Sequence, residues 1–281
     1  MKAKNPMQFK AFIKKKASEK NITAQLVMQN YMLERLLERV SLSRYQQNFI
    51  VKGGFLISAI VGLESRATMD LDTTLKGIGL NHEKIKKVFE EICQITIDDD
   101  IFFEIDRFKD IRKSDAYPGI QVGLIAIYKT LKVPLSVDIT TGDKITPREI
   151  NYRFKLLFDD RVIKIMAYNL ESLLAEKIET ILSRSVSNTR SRDFYDIYIL
   201  HKLQEKNYDL SILKEAIEAT ATKRGSLPVL KDYKEIITNV AKNSQQQGFW
   251  KKYQKDYAYA RDIDFSDICT LIIEFLDKLN F

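Results

Sequence analysis

Apolar positions along the chain recur with two periods, and the switches between them divide it. Leu26, Leu33, Leu37 and Val40 share one face at helical spacing behind Thr23, a good N-cap. They predict a helix to about residue 40, after a shorter basic helix over 9–20. A β-like run over 48–52 is closed by Gly53-Gly54, and the apolar stretch 55–61 predicts a turn or two of helix. Asn81 can cap a helix to about residue 93, in which Ile85, Val88, Phe89 and Ile92 line up. Alternation then takes over. Ile101, Phe103 and Ile105 mark a strand, Tyr117-Pro118-Gly119 a turn, and 120–128 a second strand. Over 133–140 Leu135, Val137 and Ile139 oppose Ser136, Asp138 and Thr140. Gly142-Asp143 and Thr146-Pro147 read as loop, and 161–166 as the last strand. From Asn169 the period is helical: a helix with Leu174, Ile178 and Ile181 on one face, another around 192–198, then four more over about 209–222, 228–242, 246–260 and 266–279.

The expected fold class is therefore α/β (α+β). A mixed-sheet domain would occupy 1–168, with its core at about 46–168 and an N-terminal helical segment ahead of it. A C-terminal helical domain would occupy 169–281.

Composition narrows the class. At 45% hydrophobic and 30% charged residues, the chain reads as globular, and no apolar run reaches the ~18 residues a membrane span needs. Met1-Lys2-Ala3-Lys4 has no apolar stretch behind it, so no secretory leader and a cytoplasmic location are expected. Cys93 and Cys269 sit in apolar helical patterns and read as buried thiols rather than a disulfide. The net charge of +7 is concentrated in residues 1–50, which hold ten Lys/Arg against three Glu. A polyanionic partner, or an ordinary solvated face, would account for it.

Candidate chemistry centres on residues 51–76. Gly53-Gly54 lets backbone N–H groups approach a phosphate at a helix start. Asp70 and Asp72, two apart on a presumed strand, would stand side by side, and paired carboxylates favour a hard cation such as Mg²⁺. Asp138, on an otherwise apolar strand, is a natural third acid. Lys177 and Arg184 lie seven apart on one helix, and Asp193 and Asp196 three apart on the next. Trp250, Tyr253, Tyr257 and Tyr259 lie among lysines, a pattern that serves base stacking or, more often, helix packing.

The blocks Lys52-Gly53-Gly54 to Asp70-Leu71-Asp72, Glu171-Ser172-Leu173-Leu174-Ala175-Glu176-Lys177-Ile178 and Arg192-Asp193-Phe194-Tyr195-Asp196 occur in that order. Together they resemble the AbiEii/AbiGii toxin family over roughly residues 20–205. The resemblance implies a nucleotidyltransferase-like fold and a toxin of type IV-like toxin–antitoxin or phage abortive-infection systems. It implies nucleotide transfer from an NTP to RNA, in some members the tRNA 3′ end, with inhibition of translation and a separate antitoxin as partner. It assigns metal-binding (Mg²⁺ or Mn²⁺) to Asp70 and Asp72, NTP contact to Lys177, support to Asp193 and a functional role to Asp196. The family's usual Gly-Ser is Gly53-Gly54 here, and the gap to Asp70 is longer. That leaves backbone amides, Arg66 and Thr68 for the phosphate contact, with Lys52 a further nucleotide-binding candidate and Lys177 and Arg184 to neutralise the β- and γ-phosphates. Two other readings of the same residues stand beside it: a metal-dependent RNA nuclease, and a catalytically inactive module that binds nucleic acid or a partner.

Overall fold

The computed structural model describes residues 4–111 and 119–281. Of the Tyr117-Pro118-Gly119 turn, only Gly119 lies within them. The chain forms two compact units: residues 1–143 with 149–167, and residues 144–148 with 168–281.

The first unit is built on a seven-stranded mixed sheet. Its strands are β1 (Phe49–Lys52), β2 (Leu71–Leu75), β3 (Ile101–Ile111), β4 (Gly119–Tyr128), β5 (Leu131–Thr141), β6 (Ile150–Lys155) and β7 (Val162–Ala167), in the order β3-β4-β5-β2-β1-β7-β6. β1 runs parallel to β7 and β2 to β5, while the other neighbours are antiparallel. The unit's helices are α1 (Pro6–Glu19), α2 (Ala24–Leu42), α3 (Gly53–Val61) and α4 (His82–Gln94). Asn5, Thr23 and Asn81 cap α1, α2 and α4 through their side-chain oxygens. Phe49 of β1 meets Phe89 of α4 edge to face at 5.9 Å. By register, the side chains of Leu71, Leu75, Val137 and Ile139 share that apolar face.

Two sequence expectations change here. β6, absent from the sequence reading, forms the sheet edge beyond β7. It alternates Ile150, Tyr152 and Phe154, but only Phe154 is buried, so the apolar signal is weak. The N-terminal charge is also not all on the surface. α2 is buried on every side from Tyr31 to Val40, polar residues included. Arg35 pairs with Glu34 at 2.6 Å and Glu38 at 2.5 Å, Arg161 with Glu38 at 2.6 Å, and Arg39 with Asp99 at 2.9 Å. Such a network holds only while every member has its partner.

Burial pushes the Glu34 carboxyl up to about 7, against the pull of Arg35 and the Leu157 N–H that it accepts. Its ordinary value is 4.5. Between those values the folded chain holds the proton that the unfolded chain has lost. Stability from this group is thus fully present below the unfolded value and falls as pH rises toward 7, by on the order of 3 kcal/mol. Glu34→Gln, which stays neutral, is expected to gain on the parent by that order between pH 5 and pH 8. Urea unfolding at the two pH values measures it.

The second unit is helical: α5 (Leu170–Arg184), α6 (Ser191–Gln204), α7 (Leu210–Arg224), α8 (Tyr233–Lys242), α9 (Ser244–Asp256) and α10 (Phe265–Asp277). Asn169 caps α5 by accepting from the Ser172 N–H at 3.0 Å. The expected helix over 228–242 is split into a 3-10 turn, Leu227–Leu230, and α8. Neither cysteine is in a disulfide, and burial pushes the Cys269 thiol up to about 12. Among the described residues, no helix is long and apolar enough to cross a membrane.

Candidate functional site

The opposite face of the sheet carries a polar row. Register sets Lys52 beside Asp72, Asp72 beside Asp138, and Asp138 beside Gln121, across β1, β2, β5 and β4. Two residues along lie Thr74 and Thr140, also side by side. Cross-strand partners point the same way, so these polar groups form one surface. Gln121 donates to Asp138 Oδ1 at 2.8 Å. Lys52 is buried and pairs with Asp143 at 2.8 Å. Asp143 also accepts from Thr140 at 2.5 Å and from Thr74. Burial raises the Asp143 carboxyl, but the Lys52 charge and these hydrogen bonds outweigh it and bring the group down to about 2.

β1 ends on Lys52, and α3 begins at once with Gly53, whose φ of +64° suits glycine. A Cβ on Gly53 would sit 2.2 Å from Asp72 Oδ2. One on Gly54 would sit 3.0 Å from Arg66 Nη2 and 3.1 Å from Thr68 Oγ1. The missing side chains are what allow a carboxylate, a guanidinium and a hydroxyl to lie against the first turn of α3. That turn offers free N–H groups and the positive end of the helix dipole. Sequence reasoning thus named Gly53, Gly54, Arg66, Thr68, Asp72 and Asp138, and the fold brings them together.

Two expectations are corrected. Asp70 lies ahead of β2 rather than in it, and is exposed. The alternation argument that set it beside Asp72 therefore does not apply. Among the described residues no group of three His, Cys, Asp or Glu side chains that could hold a metal ion is found, while register keeps Asp72 and Asp138 side by side. Lys52, expected at the phosphate, is buried in its pair with Asp143. Asp143 and Gln121 are the residues that sequence reasoning missed. A carboxylate beside glycine in a loop looks like turn chemistry, and its partners lie up to 91 residues away.

In the second unit, Lys177 of α5 reaches Asp193 Oδ1 at 2.7 Å and Asp196 Oδ2 at 2.8 Å on α6. Both aspartates are buried, and Asp193 Oδ2 has no hydrogen-bond partner among the described residues. The spacing of three made the pair legible. Arg184 lies seven residues on from Lys177, exposed in the last turn of α5. Arg224 of α7 is the cation that joins α5, pairing with Glu179 at 2.5 Å and Glu176 at 3.3 Å. Trp250 and Tyr253 are buried, and Trp250 Nε1 donates to the Ile263 carbonyl at 2.9 Å, so both serve helix packing.

Residues 35–270 match the family described as nucleotidyl transferase AbiEii toxin, Type IV TA system. Among solved structures, a candidate nucleotidyltransferase from H. pylori is similar at 15% identity and a TM-score of 0.50, covering 92% of this chain and 100% of that one. A second Helicobacter pylori protein is 13% identical, with coverage of 92% of each chain and a TM-score of 0.49. An antigenic nucleotidyltransferase-like protein from Paracoccidioides brasiliensis is 15% identical, covering 70% of this chain and 93% of that one, with a TM-score of 0.36. No curated protein matches the chain. The family match spans most of the sequence and both units, and the first of these structures shares the fold: the chain belongs to the AbiEii nucleotidyl transferase toxin family.

Proposed function

We propose that this chain transfers a nucleotide from an NTP to an RNA acceptor, the 3′ end of tRNA being the leading candidate, and so arrests translation. The observation that carries the reading is the seat of Asp72. Its carboxylate lies against Gly53 at the start of α3, in register with Asp138. Anionic substrate oxygens and a carboxylate meet there on a helix N-terminus, an arrangement that suits a polyphosphate and its counter-cation.

The donor chemistry fits Mg²⁺ or Mn²⁺. Asp72, with Asp138 beside it and Asp70 just ahead, offers only hard carboxylate oxygens, and Mg²⁺ commonly takes one or two of these plus substrate phosphate oxygens. Bound there, such an ion supplies neutralisation of the charge that develops on the departing pyrophosphate. The chain's own groups do the positioning. α3 amides and Arg66 receive phosphate oxygens, and Gln121 fixes the orientation of Asp138. The Lys52–Asp143 pair, with Thr74 and Thr140, stiffens the sheet beneath them. Within the second unit, Asp193 and Asp196 hold the Lys177 side chain. A toxin of this family also calls for an antitoxin partner.

The test is transfer of label from an α-labelled NTP to tRNA. Asp72→Asn, which keeps the volume and loses the charge, is expected to lower labelling by roughly a hundredfold or more, the scale of one lost charge-stabilising group. Growth arrest should disappear with it, while the melting temperature stays near the parent's. Shortening of tRNA in Mg²⁺ without NTP would instead establish a nuclease.

A further inference from the structure

The folded chain sorts nine of the ten cations of its first fifty residues into two sets, Lys2 lying outside the described residues. Arg35 and Arg39 are buried in ion pairs, Arg44 pairs with Glu91, Lys16 with Glu19 and Lys20 with Glu64. Lys4, Lys10, Lys14 and Lys15 are exposed and form no ion pair among the described residues. Phe9, Ile13 and Ala17 are the buried side of α1. Lys10 and Lys14, one turn apart, therefore share the outward side with Met7.

The turn between β4 and β5 extends this basic face. The Phe9 ring lies 4.7 Å from that of Tyr128, and Lys129 Nζ donates to the Lys4 carbonyl. Lys129 and Lys132 are both exposed, again without an ion pair among the described residues. The acids near these lysines include Asp100, whose charge reaches Tyr128, and Glu19, which feels Lys15. Two segments more than a hundred residues apart in sequence thus place six ammonium groups around the N-terminal end of the unit.

We propose that the outward side of α1 and the β4–β5 turn form a docking surface for the phosphate backbone of RNA. Long, exposed lysines with no buried donor among them suit a repeating phosphate ligand that releases counterions, and do not suit one small anion. They read charge and not base identity. An anionic membrane would need a stripe of bulky apolar groups on the same face, and Met7 alone does not make one, since Phe9 and Ile13 are on the buried side. The inference rests on the proposed RNA acceptor, and names the surface that would hold it clear of the reacting end.

The test uses the full chain, a labelled single-stranded RNA of about twenty nucleotides, and no NTP or divalent metal, titrated at several KCl concentrations. The triple variant Lys10→Gln, Lys14→Gln, Lys15→Gln keeps good helix formers. It is expected to bind about tenfold more weakly near 0.1 M salt and to flatten the slope of log K against log salt by about 2, as three lost phosphate contacts would. Parental affinity and slope in the triple variant overturn the proposal. So does a parent chain that binds anionic vesicles but not RNA. A parent chain that gives no labelling, yet binds RNA with the expected change of slope in the variant, removes the proposed reaction and leaves this surface standing.

Discussion

Asp143→Ala is expected to destabilise the chain by on the order of 3 kcal/mol, the scale of breaking a buried ion pair by removing one member. Lys52, which is 4% exposed, loses its acceptor at 2.8 Å. Thr74 and Thr140 lose the same acceptor and keep only their longer contacts, to each other at 3.2 Å and from Thr140 to the Thr73 carbonyl at 3.3 Å. The double variant Lys52→Met, Asp143→Ala is expected to recover much of the difference, because an apolar side chain of similar length needs no counter-ion. The pH dependence gives a second reading. Asp143 is held at about 2 when folded, against an ordinary value of 3.8. Its contribution is therefore present above the unfolded value and is lost as pH falls through about 4 to 2, by on the order of 2 kcal/mol. Asp143→Asn removes that dependence. Denaturant unfolding of the three variants and the parent at pH 7, and of the parent and Asp143→Asn down to pH 2, measures both effects. A single Asp143→Ala variant as stable as the parent would show that the pair contributes nothing.

How far the site was legible depends on how local its signals are. The glycine pair with the Asp72 that follows it, and the Asp193–Asp196 spacing, are short-range patterns, and the fold sets Asp72 against Gly53 and both aspartates on Lys177. The caps at Thr23, Asn81 and Asn169 were legible for the same reason, since each acts on an N–H within three residues. What failed was long-range. Glu34, Arg35, Glu38 and Arg39 look like the wet side of an amphipathic helix. Their burial is set by Asp99, the Leu157 N–H and Arg161, which are 60 to 123 residues away. Asp143 is the same case in a loop. Asp70 failed differently: the i, i+2 rule is sound inside a strand, but β2 starts one residue later. Short-range patterns were thus legible in the sequence, and the long-range partners that bury Glu34, Arg39 and Asp143 were not.

Gly53→Ala is expected to abolish transfer with little loss of fold. The new methyl carbon would fall 2.2 Å from Asp72 Oδ2 and 2.8 Å from Asp72 Cγ, so the carboxylate must leave its seat. The backbone adds strain, since φ at Gly53 is +64° and alanine there costs on the order of 1 kcal/mol. A shift of about 1 Å in a positioning group is enough to slow a reaction about a hundredfold. Gly54→Ala is the control. Its methyl would meet Arg66 Nη2 at 3.0 Å and Thr68 Oγ1 at 3.1 Å, both ends of side chains that can give by a few tenths of an ångström. A loss of only about tenfold or less is expected there, because the Asp72 seat is untouched. Label incorporation and melting temperature, measured together on both variants, separate a displaced carboxylate from a damaged fold. If folded Gly53→Ala transfers label at the parental rate, the Asp72 carboxylate does not act from the position seen against α3. The catalytic reading then loses its geometric basis, even though the family and the fold are unaffected.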